Sequence, residues 1–301
     1  MSSSSSKWLI GCTIGCAALI VLGVVLGTSG YLFIKGRMRS LEEANTAVSE
    51  LEKRYGKIRD FSPDPGGAIR PERIKAFLSV RDATAGMRQK LETSFASMSE
   101  GMHEAKSGEK PFWSVMRILG KGFGIIPEIG EFHSARARAM LDAGIGMGEY
   151  CYIYVVAYYA WLGKSPEDGP DFRLEGGESE SIRDQEGEDV RALRRVRMVR
   201  QIRQMFLAML RNQLSQGSEG GSTDVQDSRR KILEAEVAAL EKHPDRLPWQ
   251  DGLPKQIDAS LQPFRQQLEA SYSAVTNALE LGFDSRWRSG TRINNRLPSR
   301  R

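Results

Sequence analysis

An uncharged run near the start of the chain restricts its fold more than any other feature. Residues 8–34 form 27 consecutive positions without an acidic or basic side chain, and Lys35, Arg37 and Arg39 follow them at once. A helix of this length rises about 40 Å, more than the roughly 30 Å thickness of a bilayer's hydrocarbon core. The run is also too long for the apolar part of a cleaved signal peptide. The sequence therefore predicts a tail over 1–7 and an uncleaved transmembrane anchor over 8–34, which contacts the lipid bilayer.

Two glycine pairs lie inside the predicted anchor. Gly11 and Gly15 are four residues apart, and so are Gly23 and Gly27. Small residues at this spacing let two membrane helices approach closely, so the four glycines are candidate helix-dimer contacts. Glycine is also common in membrane helices that do not pair, which is the simpler interpretation.

The segment after the anchor carries a short apolar seam at heptad spacing. Its members are Leu41, Ala44, Val48, Leu51, Tyr55 and Ile58. The seam covers only about two and a half heptads, so it needs a partner. With the glycine pairs it predicts a parallel homodimer. The alternative is that the seam packs within its own chain.

Charge indicates the location of the protein only in part. Basic residues after the anchor outnumber Lys7, which favours a cytoplasmic domain, yet long domains are translocated largely regardless of charge. Arginine exceeds lysine by 30 to 13, a bias typical of a GC-rich bacterial genome. We therefore expect a single-pass protein of a bacterial cell membrane, with the side of the aqueous domain undecided.

The aqueous part of the chain has the apolar periodicity of amphipathic helices. It contains no convincing run of alternating polar and apolar residues long enough for a strand. The predicted fold class is all-α, an N-terminal transmembrane helix followed by an elongated antiparallel helical bundle. The predicted segments are a juxtamembrane amphipathic helix over 40–60, a helical core over 71–163, a disordered acidic loop over 164–188, C-terminal helices over 189–282 and a basic tail over 283–301.

Two breaks are expected within this helical pattern. The glycines at 120, 122 and 124 predict a turn between helices, because each glycine weakens a helix interior. Pro263 is expected to kink the last helix, because proline removes one backbone hydrogen bond.

The most apolar part of the aqueous domain runs from Gly144 to Gly163. Its only charged residue is Glu149, and six tyrosine and tryptophan residues crowd into it. A helix that is apolar on all sides is either buried or spans a membrane. Tyrosines and an acid are costly in lipid, so we predict a central core helix and keep a second span as the alternative.

This aromatic segment is also the candidate ligand site, because helical bundles bind ligands between their helices. The candidate ligand-binding residues are Glu149, Tyr150, Tyr154, Tyr158 and Trp161. Glu149 in an aromatic environment is either an acid with a shifted pKa and a catalytic role or, more simply, a hydrogen-bonded structural acid.

A basic helix is predicted over Arg191–Arg211, which holds seven arginines and no acid. Such a helix suits anionic lipid or an acidic protein partner, although an ordinary packed helix with a solvated arginine face explains it equally. Nucleic acid is not an expected partner, because the arginines lack interleaved aromatic residues and acids nearly balance bases overall.

Catalytic and metal-binding motifs are not evident in the sequence. Cys151 is the only cysteine after the anchor, and His103, His133 and His243 are far apart, so no metal-ligand spacing occurs. We therefore expect no cofactor, no metal and no identifiable catalytic residue. The leading hypothesis is a membrane-anchored helical scaffold or interaction module. The alternatives are a ligand-binding or sensing domain at the aromatic helix and an enzyme whose site is assembled from distant residues.

Overall fold

The computed structural model of the chain describes residues 46–64, 67–106, 111–170, 188–216 and 224–281. The anchor over 8–34 with its glycine pairs, most of the acidic loop and the basic tail lie outside these ranges. No helix within them is long and apolar enough to cross a membrane. The transmembrane anchor and the dimer contact inside it therefore stay predictions.

All regular structure in the described residues is helical. The α-helices are α1 (46–55), α2 (Pro71–Ala83), α3 (Ala85–Lys106), α4 (Pro111–Asp142), α5 (Met147–Tyr154), α6 (Glu188–Gln216), α7 (Asp224–Lys242), α8 (Lys255–Leu261), α9 (Arg265–Ser271) and α10 (Asn277–Glu280). Short 3-10 helices cover Ile58–Asp60 and Gln262–Phe264, and a π-helix over Val155–Trp161 continues α5. The prediction of an all-α domain of packed helices is confirmed.

One predicted helix break is present and the other is absent. Pro263 lies in the 3-10 helix that separates α8 from α9, as its missing N–H leads one to expect. The predicted turn at the glycines 120, 122 and 124 is wrong, because α4 runs through all three and through Pro127 without interruption. α4 packs along α3, and such tertiary packing outweighs the low helix propensity of glycine.

The helix α5 and its π-helical continuation form the centre of the core. Each residue from Tyr150 to Tyr159 is at most 5% exposed. The apolar cluster around them draws residues from α1, α2, α4, α6, α7, α8 and α9. The prediction of a central core helix over this segment is confirmed, and the alternative of a second membrane span is not.

The heptad seam is used inside the chain. Leu51 is 1% exposed in the core cluster, and Tyr55 and Ile58 pack against that cluster. A Cβ on Gly146 would lie 2.6 Å from the Cβ of Tyr55, so α1 and the start of α5 are in close contact. These three residues therefore follow the interpretation in which the seam packs within its own domain.

Candidate functional site

Three of the five candidate ligand residues use their hydroxyl groups inside the core. Tyr150, Tyr154 and Tyr158 are fully buried. The hydroxyl of Tyr150 donates to Glu280 Oε2 at 2.7 Å, and that of Tyr154 donates to Asn277 Oδ1 at 2.9 Å. The hydroxyl of Tyr158 lies 2.7 Å from Ser271 Oγ. These tyrosines hold the C-terminal segment 271–281 onto the aromatic helix.

The same segment places one carboxylate among buried arginines. Glu280 is fully buried, accepts a hydrogen bond from Arg81 Nη1, and lies 3.6 Å from Arg136 Nη1. Burial alone would raise the pKa of Glu280, but the positive charges of Arg81, Arg136 and Arg88 outweigh it and lower the pKa below its ordinary value. The cluster is a closed structural network of the core.

The other two candidate residues lie apart from that network. Glu149 accepts from Arg73 Nε at 2.6 Å, so it is a paired structural acid. Trp161 donates its indole N–H to Asp258 Oδ1 at 2.7 Å, and the guanidinium of Arg265 lies 4.8 Å from its ring centroid. The geometry therefore disperses the five residues over separate structural contacts.

A cavity opens instead beside Tyr152, another residue of the aromatic helix. Residues of α6 and α7 also line this cavity. Its volume is about 320 Å³, and we call it the Trp249 cavity. Its lining includes Tyr152, Arg229, Ile232, Leu233, Trp249 and Ile257. Ile232 is 47% exposed and marks the open side, whereas Trp249 is 4% exposed. The volume lies in the lower part of the range found for ligand pockets.

Trp249 is held in an uncommon backbone conformation. It has φ of 56°, and it is the only non-glycine residue with positive φ in the described part of the chain. Its backbone N–H donates to Glu236 Oε1 at 2.7 Å, and Arg246 Nη2 donates to Glu236 Oε2 at 3.2 Å. Gly252 N donates to the carbonyl of Trp249 at 3.0 Å and closes the turn. The loop is thus fixed to α7 through one carboxylate.

The indole N–H of Trp249 adds a free-energy cost to that of the backbone conformation. It is buried and has no hydrogen-bond acceptor among the described residues. An unpaired buried donor costs about 1–3 kcal/mol, and a bulky residue in the left-handed region costs about 1–2 kcal/mol more. Residues that bear such costs cluster at ligand clamps and active sites.

Arg229 supplies the charge of the cavity wall. Its Nη2 donates to the backbone carbonyl of Asp64 at 3.0 Å, and that oxygen also accepts from Gly67 N at 2.9 Å and Gln213 Nε2 at 2.8 Å. Burial lowers the pKa of Arg229, and the attraction of Asp64 only partly opposes this. A carbonyl oxygen has two lone pairs, so three donors leave the guanidinium weakly satisfied.

Gly67 makes room for that guanidinium. It has φ of 77°, and a Cβ at this position would lie 2.6 Å from Arg229 Nη2. A side chain here would both strain the backbone and displace the arginine. The glycine therefore sets the position of the positive charge.

Tyr152 forms the inner wall. It is 5% exposed, and its ring stacks on Phe206 with centroids 5.5 Å apart. Burial raises the pKa of its hydroxyl, and the nearby charge of Arg229 opposes this only in part. The hydroxyl therefore stays protonated at neutral pH and is available as a donor.

A second cleft adjoins the cavity. It has a volume of about 250 Å³ and is lined by Arg73 and Glu149 among others, while Gly67 and Tyr152 line both spaces. Glu149, a candidate from the sequence, therefore lines the cleft that shares Tyr152 with the cavity. Its carboxylate already accepts a hydrogen bond from Arg73.

The residues that build the cavity were not among the site residues predicted from the sequence. Trp249 lies in the connection between α7 and α8, and Arg229 and Tyr152 carry no motif. The one available signal was a large aromatic residue inside a proline- and glycine-bearing turn, Pro248 to Gly252. Among the described residues, no group of three or more His, Cys, Asp or Glu side chains is placed to hold a metal ion.

Comparisons with known protein families, with curated proteins and with solved structures found no match to this chain.

Proposed function

We propose that this protein is a ligand-binding helical module and that the Trp249 cavity is its binding site. The observation that carries the proposal is Trp249 itself, a buried cavity-lining residue with a positive φ and an unpaired indole N–H. Proteins retain such local costs where a function needs the geometry. Tyr152, which lines the cavity, belongs to the aromatic helix, but it is not one of the five residues predicted from the sequence.

The lining indicates a small amphipathic ligand. Ile232, Leu233, Ile257 and Trp249 offer apolar contact, and Arg229 offers charge. A volume of about 320 Å³, near the lower end of the range for ligand pockets, suits a small molecule. Pockets of this kind use apolar walls for affinity and a few polar groups for orientation.

The test uses three ligands that share a phenylpropyl body and differ in the head group, namely phenylpropionate, phenylpropanol and phenylpropylammonium. The full-length protein in lipid nanodiscs is titrated and binding is followed by ligand-observed NMR, with protein-free nanodiscs as the blank. We expect at least one ligand to bind at a single site and Ile232→Trp to abolish that binding by filling the cavity.

The matched control is Val196→Trp on α6. Val196 is 41% exposed and Ile232 is 47% exposed, so the two substitutions place the same large side chain at positions of similar exposure. Val196 does not line the cavity, so its variant should bind as the wild type does. Failure of all three ligands to bind, or equal binding by both variants, would reject the cavity as the site.

A second candidate function is the interaction module expected from the sequence. The support is the outer face of α6, where Leu193 is 61% exposed and Val196 is 41% exposed in an arginine-rich helix. Against it, Arg191 pairs with Asp168 at 2.9 Å and Arg195 pairs with Glu167 at 3.0 Å, which reduces the charge left for a partner. Salt-sensitive co-sedimentation of the wild type, but not of Leu193→Asp, with anionic vesicles would favour this function.

A further inference from the structure

The position of Arg229 allows the ligand to be assigned to a chemical class. The inference rests on the proposed function, because it concerns the head group of whatever occupies the Trp249 cavity. It follows from the hydrogen-bond partner of Arg229 and from the residues that line the cavity with it.

Two arginines beside the cavity pair with a carboxylate. Arg73, which lines the adjoining cleft, pairs with Glu149, and Arg246 pairs with Glu236. Arg229 lines the cavity itself, and its only hydrogen bond in the described residues goes to the backbone carbonyl of Asp64. Arg203 likewise donates to a backbone carbonyl, that of Leu240, but it does not line the cavity. A guanidinium has five N–H donors and suits a bidentate carboxylate.

The surroundings of Arg229 favour an anion over a neutral acceptor. The carbonyl it contacts already accepts from Gly67 and Gln213, so it cannot satisfy the guanidinium further. The Tyr152 hydroxyl and the indole N–H of Trp249 are further donors among the lining residues, none of which has a carboxylate side chain. Charge-assisted hydrogen bonds are about twice as strong as neutral ones, and a carboxylate can in addition accept from a guanidinium at two positions.

We propose that the ligand of the Trp249 cavity is a carboxylic acid with a compact apolar body, whose carboxylate binds the guanidinium of Arg229. The apolar body lies against Leu233, Trp249 and Ile257. Gly67 acts as a positioning residue, because the absence of its Cβ leaves Arg229 where the carboxylate can reach it.

The three phenylpropyl ligands test this directly in the full-length protein. We expect phenylpropionate to bind about tenfold or more tightly than phenylpropanol, and phenylpropylammonium to bind most weakly because Arg229 repels it. Arg229→Gln should remove the preference for the acid, so that the acid and the alcohol bind with nearly equal affinity. Arg230→Gln is the matched control, since the adjacent Arg230 pairs with Glu234 on the surface and does not line the cavity.

A second pair of variants leaves Arg229 in place. Gly67→Ala should weaken acid binding several-fold, because its Cβ would lie 2.6 Å from Arg229 Nη2. Gly163→Ala has a similar backbone strain, with φ of 64° against 77°, but its Cβ would have no atom within 4 Å. The affinity of Gly163→Ala for the acid should equal that of the wild type. The difference in affinity between the two alanine variants then measures the effect of the contact with Arg229 alone.

The outcomes separate this inference from the proposed function. Equal affinity of the wild type for acid and alcohol, or an acid preference that survives Arg229→Gln, would overturn the carboxylate assignment and leave the cavity as a binding site. Absence of binding by all three ligands would overturn the proposed function and this inference with it. Tighter binding of the ammonium ligand than of the acid would contradict the carboxylate assignment, because the site would then prefer a cation.

Discussion

Glu236 is the residue through which α7 holds the loop that carries Trp249. Its side chain is 7% exposed, and its two carboxylate oxygens accept from the Trp249 backbone and from Arg246. Burial raises the pKa of Glu236, and these two donors oppose the rise. The strained conformation of Trp249 depends on both contacts, because an unfavourable φ persists only where its surroundings impose it.

We expect Glu236→Ala to lower the free energy of unfolding by about 2–3 kcal/mol, because it removes two hydrogen bonds to or from charged groups and leaves the Trp249 N–H unpaired. Urea denaturation measures the change. The control is Glu234→Ala, two residues earlier on α7, whose exposed pair with Arg230 should contribute no more than about 0.5 kcal/mol. Similar losses in both variants would contradict the role assigned to Glu236.

His133 supplies a prediction about pH. Burial, with the nearby charge of Arg136, lowers the pKa of His133 from 6.5 to about 3. Arg136 Nη2 lies 3.1 Å from His133 Nδ1, and since arginine can only donate, the neutral imidazole accepts there. The native state therefore binds fewer protons than the unfolded state between pH 6.5 and about 3, so stability should fall as pH decreases through this window.

The comparison that checks this is the free energy of unfolding of the wild type and of His133→Gln between pH 7 and about pH 4. Glutamine keeps an acceptor for Arg136 and cannot titrate. We expect the difference between the two proteins to move in favour of the variant as the pH falls. A difference that does not change with pH would show that His133 is not held neutral.

At the scale of elements, close contact at glycine decides how the helices meet. A Cβ on Gly148, the second residue of α5, would lie 2.5 Å from Phe61 Cβ and 2.6 Å from the carbonyl oxygen of Ile58. The 3-10 helix over Ile58–Asp60 therefore lies directly against the start of the aromatic helix. The backbone oxygen cannot move aside as a flexible side chain could.

We expect Gly148→Ala to destabilise the protein by about 1–3 kcal/mol through this overpacking. Gly86 is the matched control, because it is also the second residue of its helix, α3, and a Cβ there would have no atom within 4 Å. Gly86→Ala should be neutral or stabilising by up to about 1 kcal/mol, since alanine has the higher helix propensity. Thermal denaturation should therefore show a lower melting temperature for Gly148→Ala and an unchanged or higher one for Gly86→Ala.

At the scale of the whole molecule, the C-terminal segment 271–281 joins parts of the chain that are far apart in sequence. Arg81 on α2 and Glu280 on α10 are 199 residues apart and are both fully buried. Asn277 accepts from Tyr154 and Tyr159 and donates to the carbonyl of Pro166 at 2.9 Å. These contacts make the last described helix a necessary part of the core.

We expect Glu280→Ala or Arg81→Met to cost about 3–5 kcal/mol each, because either change leaves a buried charge without its main partner. The double variant should cost clearly less than the sum, and a double-mutant cycle measures the coupling. The exposed pair of Arg265 and Glu269 serves as the control and should couple by no more than about 0.5 kcal/mol. Additive losses at Arg81 and Glu280 would refute the buried pair.

The sequence by itself determined the features that depend on local patterns. Apolar periodicity predicted an all-helical aqueous part, Pro263 marked the break before α9, and the density of apolar residues placed the aromatic helix in the core. Each of these follows from the preferences of a few neighbouring residues, so a window of sequence contains the information.

Only the tertiary structure decided the rest. α4 remains helical through its glycines while α3 packs along α4. Glu280 meets Arg81, which is 199 residues away in the chain, and Trp249 adopts its conformation because Glu236 on α7 accepts from its N–H. The residues of the candidate site could not be predicted from the sequence for the same reason. Its wall combines Gly67, Tyr152, Arg229 and Trp249, whose proximity depends on non-local packing that leaves no periodic signal in the chain.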